Sequence, residues 1–363
     1  MRRGFMSSRE RLAIDYCEKY HVPDISEKEK NEIKKYWDHF GICIKDFSWH
    51  RMYYYVTGIH DPRFVPDLIA GLIIYEYYND SSCEDVWRDK NMFDRLLPNV
   101  PMPNTYAKRI RKRFYVNDSC IGCQDDTNPD YEGIARSIII SLSIPSVIII
   151  KNTRTTGFGR GVRKYTITSI EDLISALKEW NDCSDYIVQA FIKQHPVLSA
   201  LNESSSNMIR VCSWRHNDQV DILFAAARVG IPGAVTDVSF VNGEERVQLV
   251  SISNNGILGN KLYNQDGIVV KELPSNVKIP GFEKIVSVVK ENHLRIDRFD
   301  IVGWDFTVDE SDNPICFEWN IQWPGTILYQ YINGPLYGNK TDEILEFLKN
   351  QKNRDNYIPC YMK

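Results

Sequence analysis

The sequence contains no apolar run long enough to cross a membrane. Its longest, residues 138–150, is interrupted by three serines and a proline and falls short of the roughly 20 residues that a spanning helix needs. The first ten residues contain no apolar core of signal-peptide length. We therefore expect neither a transmembrane segment nor a secretory leader.

An excess of positive charge is also missing. The chain has 44 Lys and Arg against 48 Asp and Glu, for a net charge of −4. Proteins that bind nucleic acid through bulk electrostatics are strongly basic, so we expect no nucleic-acid partner of that kind.

The cysteines follow no pattern of a disulfide framework or a zinc site. There are nine, an odd number, scattered along the chain. Only Cys120 and Cys123 have the spacing of metal ligands, and no second such pair follows. We expect no zinc site and a reducing, cytoplasmic location.

The composition is that of an ordinary globular protein, 43% hydrophobic and 25% charged. Helical spacing of apolar residues predicts a helical region over residues 1–84, and a single helix over residues 86–97 that ends at Pro98. Residues 105–150 contain short strand-like runs, and most of the pattern beyond residue 207 is strands. These elements predict an α+β fold with a central, largely antiparallel sheet.

Two strands near the C-terminus carry the most informative polar residues. Residues 303–308 and 315–320 alternate with period two around a polar turn, which predicts a hairpin. Glu318 and Asn320 are two apart, so both leave the same face, and Asp305 on the partner strand can reach that face. Two carboxylates and an amide oxygen suit Mg²⁺. A solvated hairpin face is the alternative interpretation.

A glycine-rich loop follows the strand that ends at Lys151. It lacks the Gly-Lys-Ser/Thr ending of a P-loop, but Thr156, Gly157 and Gly159 let backbone N–H groups approach phosphate oxygens. Lys151 and Arg160 are then candidates to neutralise phosphate charge. An ordinary hairpin turn explains the glycines equally well.

Two arginines interrupt strands that are otherwise apolar. Arg210 lies in the run 207–211 and Arg228 in the run 224–230. A buried guanidinium needs an anionic partner, and its planar shape suits phosphate and carboxylate. An ion pair with a carboxylate of the protein is the alternative.

These features occur in the order typical of the ATP-grasp superfamily, which the chain resembles over about residues 50–330. The resemblance is to the sugar-transfer-associated ATP-grasp proteins of polysaccharide gene clusters. It rests on the segments Asp61-Pro62-Arg63-Phe64-Val65-Pro66, Asp89-Lys90-Asn91-Met92-Phe93, Gln194-His195-Pro196, Ser206-Asn207-Met208-Ile209-Arg210-Val211, Gly303-Trp304-Asp305 and Phe317-Glu318-Trp319-Asn320-Ile321-Gln322-Trp323-Pro324-Gly325.

The resemblance implies two α+β subdomains, a lid and a central antiparallel sheet, that clasp a nucleotide. Residues 85–190 would contain the N-terminal part and the lid, and residues 191–363 the subdomain with the metal site. It implies ATP and Mg²⁺ as cofactors. The implied residues are Lys90 and Lys151 for phosphates, Gln189, Ala190, Phe191 and Ile192 for adenine, Asp305, Glu318 and Asn320 for the metal, and Arg210, Arg228 and Arg160 for catalysis.

The activity implied by the resemblance is that of a carboxylate–amine ligase. ATP would convert a carboxylate into an acyl phosphate, which an amine then attacks. The substrate would be a sugar acid or amino sugar, and polysaccharide-assembly enzymes would be partners. A small-molecule or sugar kinase and a non-catalytic nucleotide-binding scaffold remain alternatives. The chain departs from the family at Gln189, where an acidic residue is common, and in its helical N-terminal region.

Several other polar residues are predicted to be structural. His195 and His216 have no convincing nucleophile partner, and Cys316 is expected in the core on the face opposite Glu318. His50 is a candidate for an acceptor pocket or for packing. The segment 322–325 follows the metal strand and is a candidate to touch the acceptor.

Overall fold

Helices form the N-terminal part of the chain, and two antiparallel sheets follow. The computed structural model describes residues 2–121, 129–154, 161–242 and 244–355. The first helices are α1 (Arg2–Lys19), α2 (Glu27–His39), α3 (Ser48–Thr57), α4 (Asp67–Ile69), α5 (Tyr75–Tyr78), α6 (Glu84–Trp87) and α7 (Phe93–Leu96). In α2, Ser26 and Glu29 form a capping box, while Ile33 and Trp37, one turn apart, are buried.

The first sheet has six strands in the order β3-β2-β1-β6-β4-β5, and all its pairs are antiparallel. The strands are β1 (Thr105–Ile110), β2 (Arg113–Val116), β3 (Ser119–Ile121), β4 (Ser146–Asn152), β5 (Val162–Ile167) and β6 (Tyr186–Ala190). Two helices, α8 (Tyr131–Ile139) and α9 (Ile170–Glu179), cover it and share its apolar core. Ser169 is the N-cap of α9 and forms a capping box with Asp172.

The second sheet has seven strands in the order β13-β12-β11-β8-β7-β14-β15, also antiparallel throughout. Its strands are β7 (Met208–His216), β8 (Gln219–Val229), β11 (Gln248–Ile252), β12 (Lys261–Asn264), β13 (Val269–Glu272), β14 (Ile301–Val308) and β15 (Pro314–Asn320). The remaining elements are the small hairpin of β9 (Ser239–Val241) and β10 (Glu244–Arg246), and α10 (Pro196–Ser199), α11 (Phe282–His293), α12 (Ile327–Asn333) and α13 (Thr341–Asp355).

The two faces of the seven-stranded sheet have different neighbours. One face packs with α11 in a continuous apolar core. On the other face, Cys212, Trp214 and Phe224 pack with the N-terminal helices, α12 and α13. Arg210 and Arg228 lie on that same face, because side chains two residues apart on a strand point the same way. The helices therefore cover this face at Cys212, Trp214 and Phe224, and Arg210 and Arg228 occupy the neighbouring strand positions.

A buried glutamine fastens the N-terminal region to α12. Gln330, fully buried, accepts a hydrogen bond from the Val65 N–H at 2.8 Å and donates to the Val65 carbonyl at 2.9 Å. It also donates to the Tyr53 hydroxyl at 2.9 Å. These bonds satisfy backbone groups that burial would otherwise leave unpaired.

Two of the predicted elements are wrong. The single helix over residues 86–97 is broken into α6, a 3₁₀ turn at Lys90–Met92 and α7, because the Asp89 side chain accepts from the Asn91 N–H and caps a new turn. The strand-like stretch 105–150 contains the helix α8, which starts where Asp130 accepts from the Gly133 N–H.

Two further findings concern membranes and cysteines. Among the residues that the structure describes, no helix has the length and apolar character needed to span a bilayer. Cys120 is disulfide-bonded, a pairing that the spacing of the cysteines did not predict.

Candidate functional site

The register of the β14–β15 hairpin brings the predicted metal ligands to one face. Asp305 lies opposite Glu318, and Gly303 lies opposite Asn320. Between Asp305 and Phe306 the register shifts, so that Phe317 is an extra residue in β15. This bulge keeps Glu318 and Asn320 on the polar face and turns Cys316 towards the core.

Asp305 is the centre of a buried ion-pair network. Arg210 donates to both of its carboxylate oxygens, from Nη2 to Oδ2 at 2.9 Å and from Nε to Oδ1. Asn320 donates from Nδ2 to Oδ2 at 3.1 Å, and Arg228 Nη1 lies 3.8 Å from the same oxygen. Arg210 and Asp305 are each about 4% exposed. The protein carboxylate is thus the partner of Arg210, as the alternative interpretation had it.

Gly303 makes room for the Arg210 side chain. A Cβ atom at position 303 would lie 2.7 Å from the Pro324 carbonyl oxygen and 3.2 Å from Arg210 Cδ. The guanidinium crosses this position and donates from Nη1 to that same carbonyl at 2.6 Å. Only glycine lets the strand and the arginine approach so closely.

Lys90 connects the N-terminal part of the site to the hairpin. Its Nζ lies 2.8 Å from Glu318 Oε2. The 3₁₀ turn after α6 directs Lys90 towards Glu318, because Asp89 caps that turn and accepts a hydrogen bond from Arg154 Nε at 2.8 Å. Burial alone would raise the pKa of Glu318, but Lys90 and Lys151 outweigh it and hold that pKa well below its usual range.

Lys151, at the end of β4, is a buried cation without a counter-ion. Its side chain is 8% exposed, and in the described part of the chain no carboxylate lies within ion-pair distance of Nζ. Burial, and then the charge of Lys90, lower its pKa from 10.5 to about 8. The centroid of the Phe317 ring lies 5.6 Å from Nζ.

Both lysines line a cavity of about 300 Å³ between the six-stranded sheet and the hairpin. Gln189 lies in its wall and donates to the Thr105 hydroxyl at 3.1 Å. The other lining residues are Phe93, Asp94, Met102, Pro103, Asn104, Thr105, Ile187, Cys316 and Phe317. A slot lined about equally by polar and apolar side chains, two of them lysines, can take a molecule with a flat apolar part and an anionic part.

The other predicted adenine contacts follow Gln189 along the chain. Ala190 ends β6, and Phe191 and Ile192 come directly after it; all three are half-buried. Phe191 carries Lys164 over its ring, with Nζ 4.0 Å from the centroid. The predicted lid residues Thr156, Gly157, Gly159 and Arg160 lie outside the described residues.

Residues 75–344, well over half of the chain, match the family model described as sugar-transfer associated ATP-grasp. The chain belongs to the sugar-transfer-associated ATP-grasp family. The match confirms the predicted family, and the two antiparallel sheets with their helices confirm the predicted α+β fold.

Solved ATP-grasp structures resemble the chain at low identity. A D-Ala:D-Ser ligase from Enterococcus faecalis has 11% identity and a TM-score of 0.45, over 75% of this chain and 63% of that one. A D-alanine–D-alanine ligase from Bacillus anthracis has 12% identity and a TM-score of 0.42, over 77% and 72%. N5-carboxyaminoimidazole synthase from Aspergillus clavatus, solved with ADP and 5-aminoimidazole ribonucleotide, has 11% identity and a TM-score of 0.38, over 67% and 46%.

The chain spans about half the length of the first solved structures that it matches, 46% and 45%. No curated protein sequence matches it.

The donor set of this ATP-grasp protein suits a hard divalent cation. Among the described residues, no three His, Cys, Asp or Glu side chains form a metal-binding group, so the predicted site relies on two carboxylates and one amide. Asn320 points its Nδ2 at Asp305, which turns its amide oxygen away. A carboxylate has about four acceptor positions, and Asp305 uses three of them. Carboxylate and amide oxygens are ligand types that Mg²⁺ accepts alongside water and phosphate. In this structure Arg210 and Asn320 engage the Asp305 oxygens, so a cation would use the acceptor position left open or replace one of these contacts.

Asp237 is a charged residue of the site that the sequence analysis missed. Its Oδ2 lies 2.9 Å from Arg228 Nε, and its side chain is 13% exposed. Burial, with a smaller contribution from the carboxylates Asp305 and Glu318, raises the pKa of Asp237 to about 6, although Arg228 opposes the shift. No motif marks Asp237, which stands in a loop. The sequence indicates a residue of this kind only indirectly, because a buried Arg228 requires an anionic partner.

The remaining candidates are structural in the positions that the structure gives them. Cys316 is 1% exposed, and burial raises the pKa of its thiol well above the usual value, which disfavours a nucleophile. His195 caps α10, and His216 stacks on Trp214. His50 is fully buried, and burial lowers its pKa to about 4.

Proposed function

We propose that this protein is an ATP- and Mg²⁺-dependent carboxylate–amine ligase. One substrate carboxylate would take the γ-phosphoryl group of ATP, and an amine would then displace phosphate to give an amide. The family assignment supports an ATP-dependent enzyme. The observation that carries the proposal is Lys151, because a buried ammonium beside a cavity, with no carboxylate of the described residues within ion-pair distance, can hold an anion.

The nucleotide would lie in the cavity between the two sheets. The apolar part would receive adenine against Gln189, Ala190, Phe191 and Ile192, and Lys90 and Lys151 would contact the phosphates. This arrangement divides the chain into a helical region over residues 1–84, a lid part over 85–190 and a metal-binding part over 191–363. The lid residues Thr156, Gly157, Gly159 and Arg160 would cover the phosphates.

Mg²⁺ would be held by Asp305, Glu318 and Asn320. When bound, it supplies charge neutralisation and orientation for the transferring phosphoryl group. The protein's own contribution is positional. Lys90 and Glu318 neutralise each other at 2.8 Å before a ligand binds, so an anion and a divalent cation can replace both members of the pair together.

Arg210 and Arg228 would stabilise the charge that develops on the phosphoryl group and on the acyl phosphate. Both are held by carboxylates, Arg210 by Asp305 and Arg228 by Asp237. A guanidinium fixed in place before the reaction costs no reorganisation in the transition state. Arg160, in the lid, is proposed as the third catalytic cation.

The family description favours a substrate from the chemistry of sugars. We propose a sugar acid or an amino sugar in the biosynthesis of cell-surface polysaccharide, with the enzyme in the cytoplasm and in association with polysaccharide-assembly enzymes. The loop 322–325 would contact this substrate, because its Pro324 carbonyl already accepts from Arg210.

Phosphate release tests the proposal. Purified protein is incubated with ATP, Mg²⁺ and pooled sugar acids, amino sugars and amino acids, and both free phosphate and products are measured. A ligase releases ADP and free phosphate in a ratio of one to one and forms an amide. Phosphate retained on the acceptor would instead establish the kinase, and ATP binding without turnover on any acceptor would establish the scaffold.

Two variants connect the activity to the site. Glu318→Gln and Lys90→Met are expected to abolish turnover. The matched controls are Glu310→Gln and Lys193→Met, because Lys193 and Glu310 form an ion pair of 2.6 Å that is exposed and outside the cavity. Full activity in Glu318→Gln would refute the metal assignment.

A further inference from the structure

The segment between β8 and β9 folds back and is fastened to the chain before β7. The Ser206 N–H donates to the Val235 carbonyl at 3.1 Å, and the Gly233 N–H donates to the Ser204 hydroxyl at 2.9 Å. Ser206 and Thr236 also form a parallel bridge. We call residues 230–238 the β8–β9 loop. Its backbone is held at several points, so its side chains have defined positions.

The loop begins at a glycine that close packing requires. A Cβ atom on Gly230 would lie 2.4 Å from the Thr236 carbonyl oxygen and 2.7 Å from Ser205 Cβ. The turn therefore closes tightly on itself, directly after the strand that carries Arg228. This closure brings Asp237 back beside the end of β8.

Asp237 and Asp305 lie on two sides of the Arg228 guanidinium. Nε is 2.9 Å from Asp237 Oδ2, whereas Nη1 is 3.8 Å from Asp305 Oδ2. The stronger contact is with the loop and the weaker one with the proposed metal ligand. Of these two carboxylates, Asp305 is already engaged by Arg210 on both oxygens, which leaves Asp237 as the closer partner of Arg228.

We infer that Asp237 is a positioning residue that fixes the Arg228 guanidinium beside the substrate anion. The inference rests on the proposed function and adds to it a residue that no motif or family feature assigned. Arginine has several rotatable bonds and loses considerable entropy when it is ordered. A carboxylate on an anchored loop removes that cost from the catalytic step, as supporting residues around active sites do.

The principal test is Asp237→Asn, which keeps the shape of the side chain and removes its charge. Loss of such a supporting contact is expected to lower kcat about 10–100-fold. The matched control is Asp300→Asn. Like Asp237, Asp300 pairs with a strand arginine, Arg215 of β7, at 2.8 Å, and burial raises its pKa. Asp300 lies outside the site. Equal activity of the two variants would overturn the inference.

A double substitution separates positioning from a general loss of structure. If Asp237 acts only through Arg228, adding Asp237→Asn to Arg228→Met leaves kcat at the level of Arg228→Met. If Asp237 merely supports the fold, the second substitution lowers the activity further, and the inference is wrong.

A spectroscopic measurement needs no turnover and so stands apart from the proposed function. In protein labelled with ¹⁵N-arginine, the Nε–H resonance of Arg228 is assigned by its disappearance in Arg228→Lys. We expect that resonance to shift and to exchange faster with solvent in Asp237→Asn, and to keep its position in Asp300→Asn. An unchanged Arg228 resonance in Asp237→Asn would overturn the inference even if the enzyme proved to be a ligase.

Discussion

Replacing Lys151 by methionine should stabilise the ligand-free protein while removing nucleotide binding. The ammonium group is buried, no carboxylate of the described residues lies within ion-pair distance of it, and burial together with Lys90 lowers its pKa from 10.5 to about 8. At about 1.4 kcal/mol for each pKa unit, the folded state carries a cost of about 3 kcal/mol for keeping Lys151 charged at pH 7. Methionine has a similar shape and carries no charge to desolvate.

The pH dependence gives this prediction its sign. Below pH 8, both the folded and the unfolded states hold the Lys151 proton, and the cost of burial is present in full. Between pH 8 and 10.5 only the unfolded state holds it, so the free energy of unfolding of the wild type rises with pH. The advantage of Lys151→Met should therefore shrink over this interval and vanish above it.

Denaturant unfolding at pH 7 and at several values up to pH 10.5 measures the effect. The control is Lys178→Met, an exposed lysine on α9, which should change the free energy of unfolding by less than about 0.5 kcal/mol. MgATP at 100 times its Kd should add about 2.7 kcal/mol to the wild type and nothing to Lys151→Met. A variant that is no more stable than the wild type at pH 7, or a difference independent of pH, would refute the reasoning.

Four other substitutions test three contacts, two at the site and one between Val65 and α12, each by denaturant unfolding. Lys90→Met and Glu318→Gln should show a coupling of about 1 kcal/mol in a double-mutant cycle. The coupling is small because Glu318 is a third exposed and water screens the pair. Purely additive effects would show that the two side chains do not interact. Gly303→Ala should cost about 1–3 kcal/mol by displacing Arg210. Gln330→Leu should cost on the order of 3 kcal/mol, because it leaves buried backbone groups unpaired; stability equal to wild type would contradict either packing account.

The sequence predicted the polar face of the hairpin because that prediction needs only short-range information. Glu318 and Asn320 share a face through the period of a strand, and the turn between β14 and β15 fixes which residues are neighbours. The strand character of most of the chain beyond residue 207 followed from local patterns in the same way. The bulge at Phe317 did not. Strict alternation would place Cys316 on the face of Glu318, so the expected opposite placement of Cys316 is met only because Phe317 is an extra residue.

What the sequence could not predict depends on contacts between distant segments. In the sequence, Asp89 has the position of an interior residue of an amphipathic helix. In the structure its carboxylate binds Arg154, which is 65 residues away, and a local pattern does not reveal that contact. Asp237 is an unremarkable loop residue until the loop closes on Arg228. The stretch that contains α8 is rich in isoleucine, which favours strands. It forms a helix because its apolar side packs on the six-stranded sheet, and this tertiary contact outweighs local propensity.

The charges of the site explain why the proposed nucleotide and the divalent cation should bind together. The four cations Lys90, Lys151, Arg210 and Arg228 face three carboxylates, Asp305, Glu318 and Asp237, which leaves a net charge of +1. A nucleoside triphosphate is far more negative than that, so the cluster cannot neutralise it without Mg²⁺. Conversely, a divalent cation alone would meet Lys90 at Glu318 and Arg210 at Asp305. Each ligand therefore removes the repulsion that the other would face, and their binding should be mutually dependent.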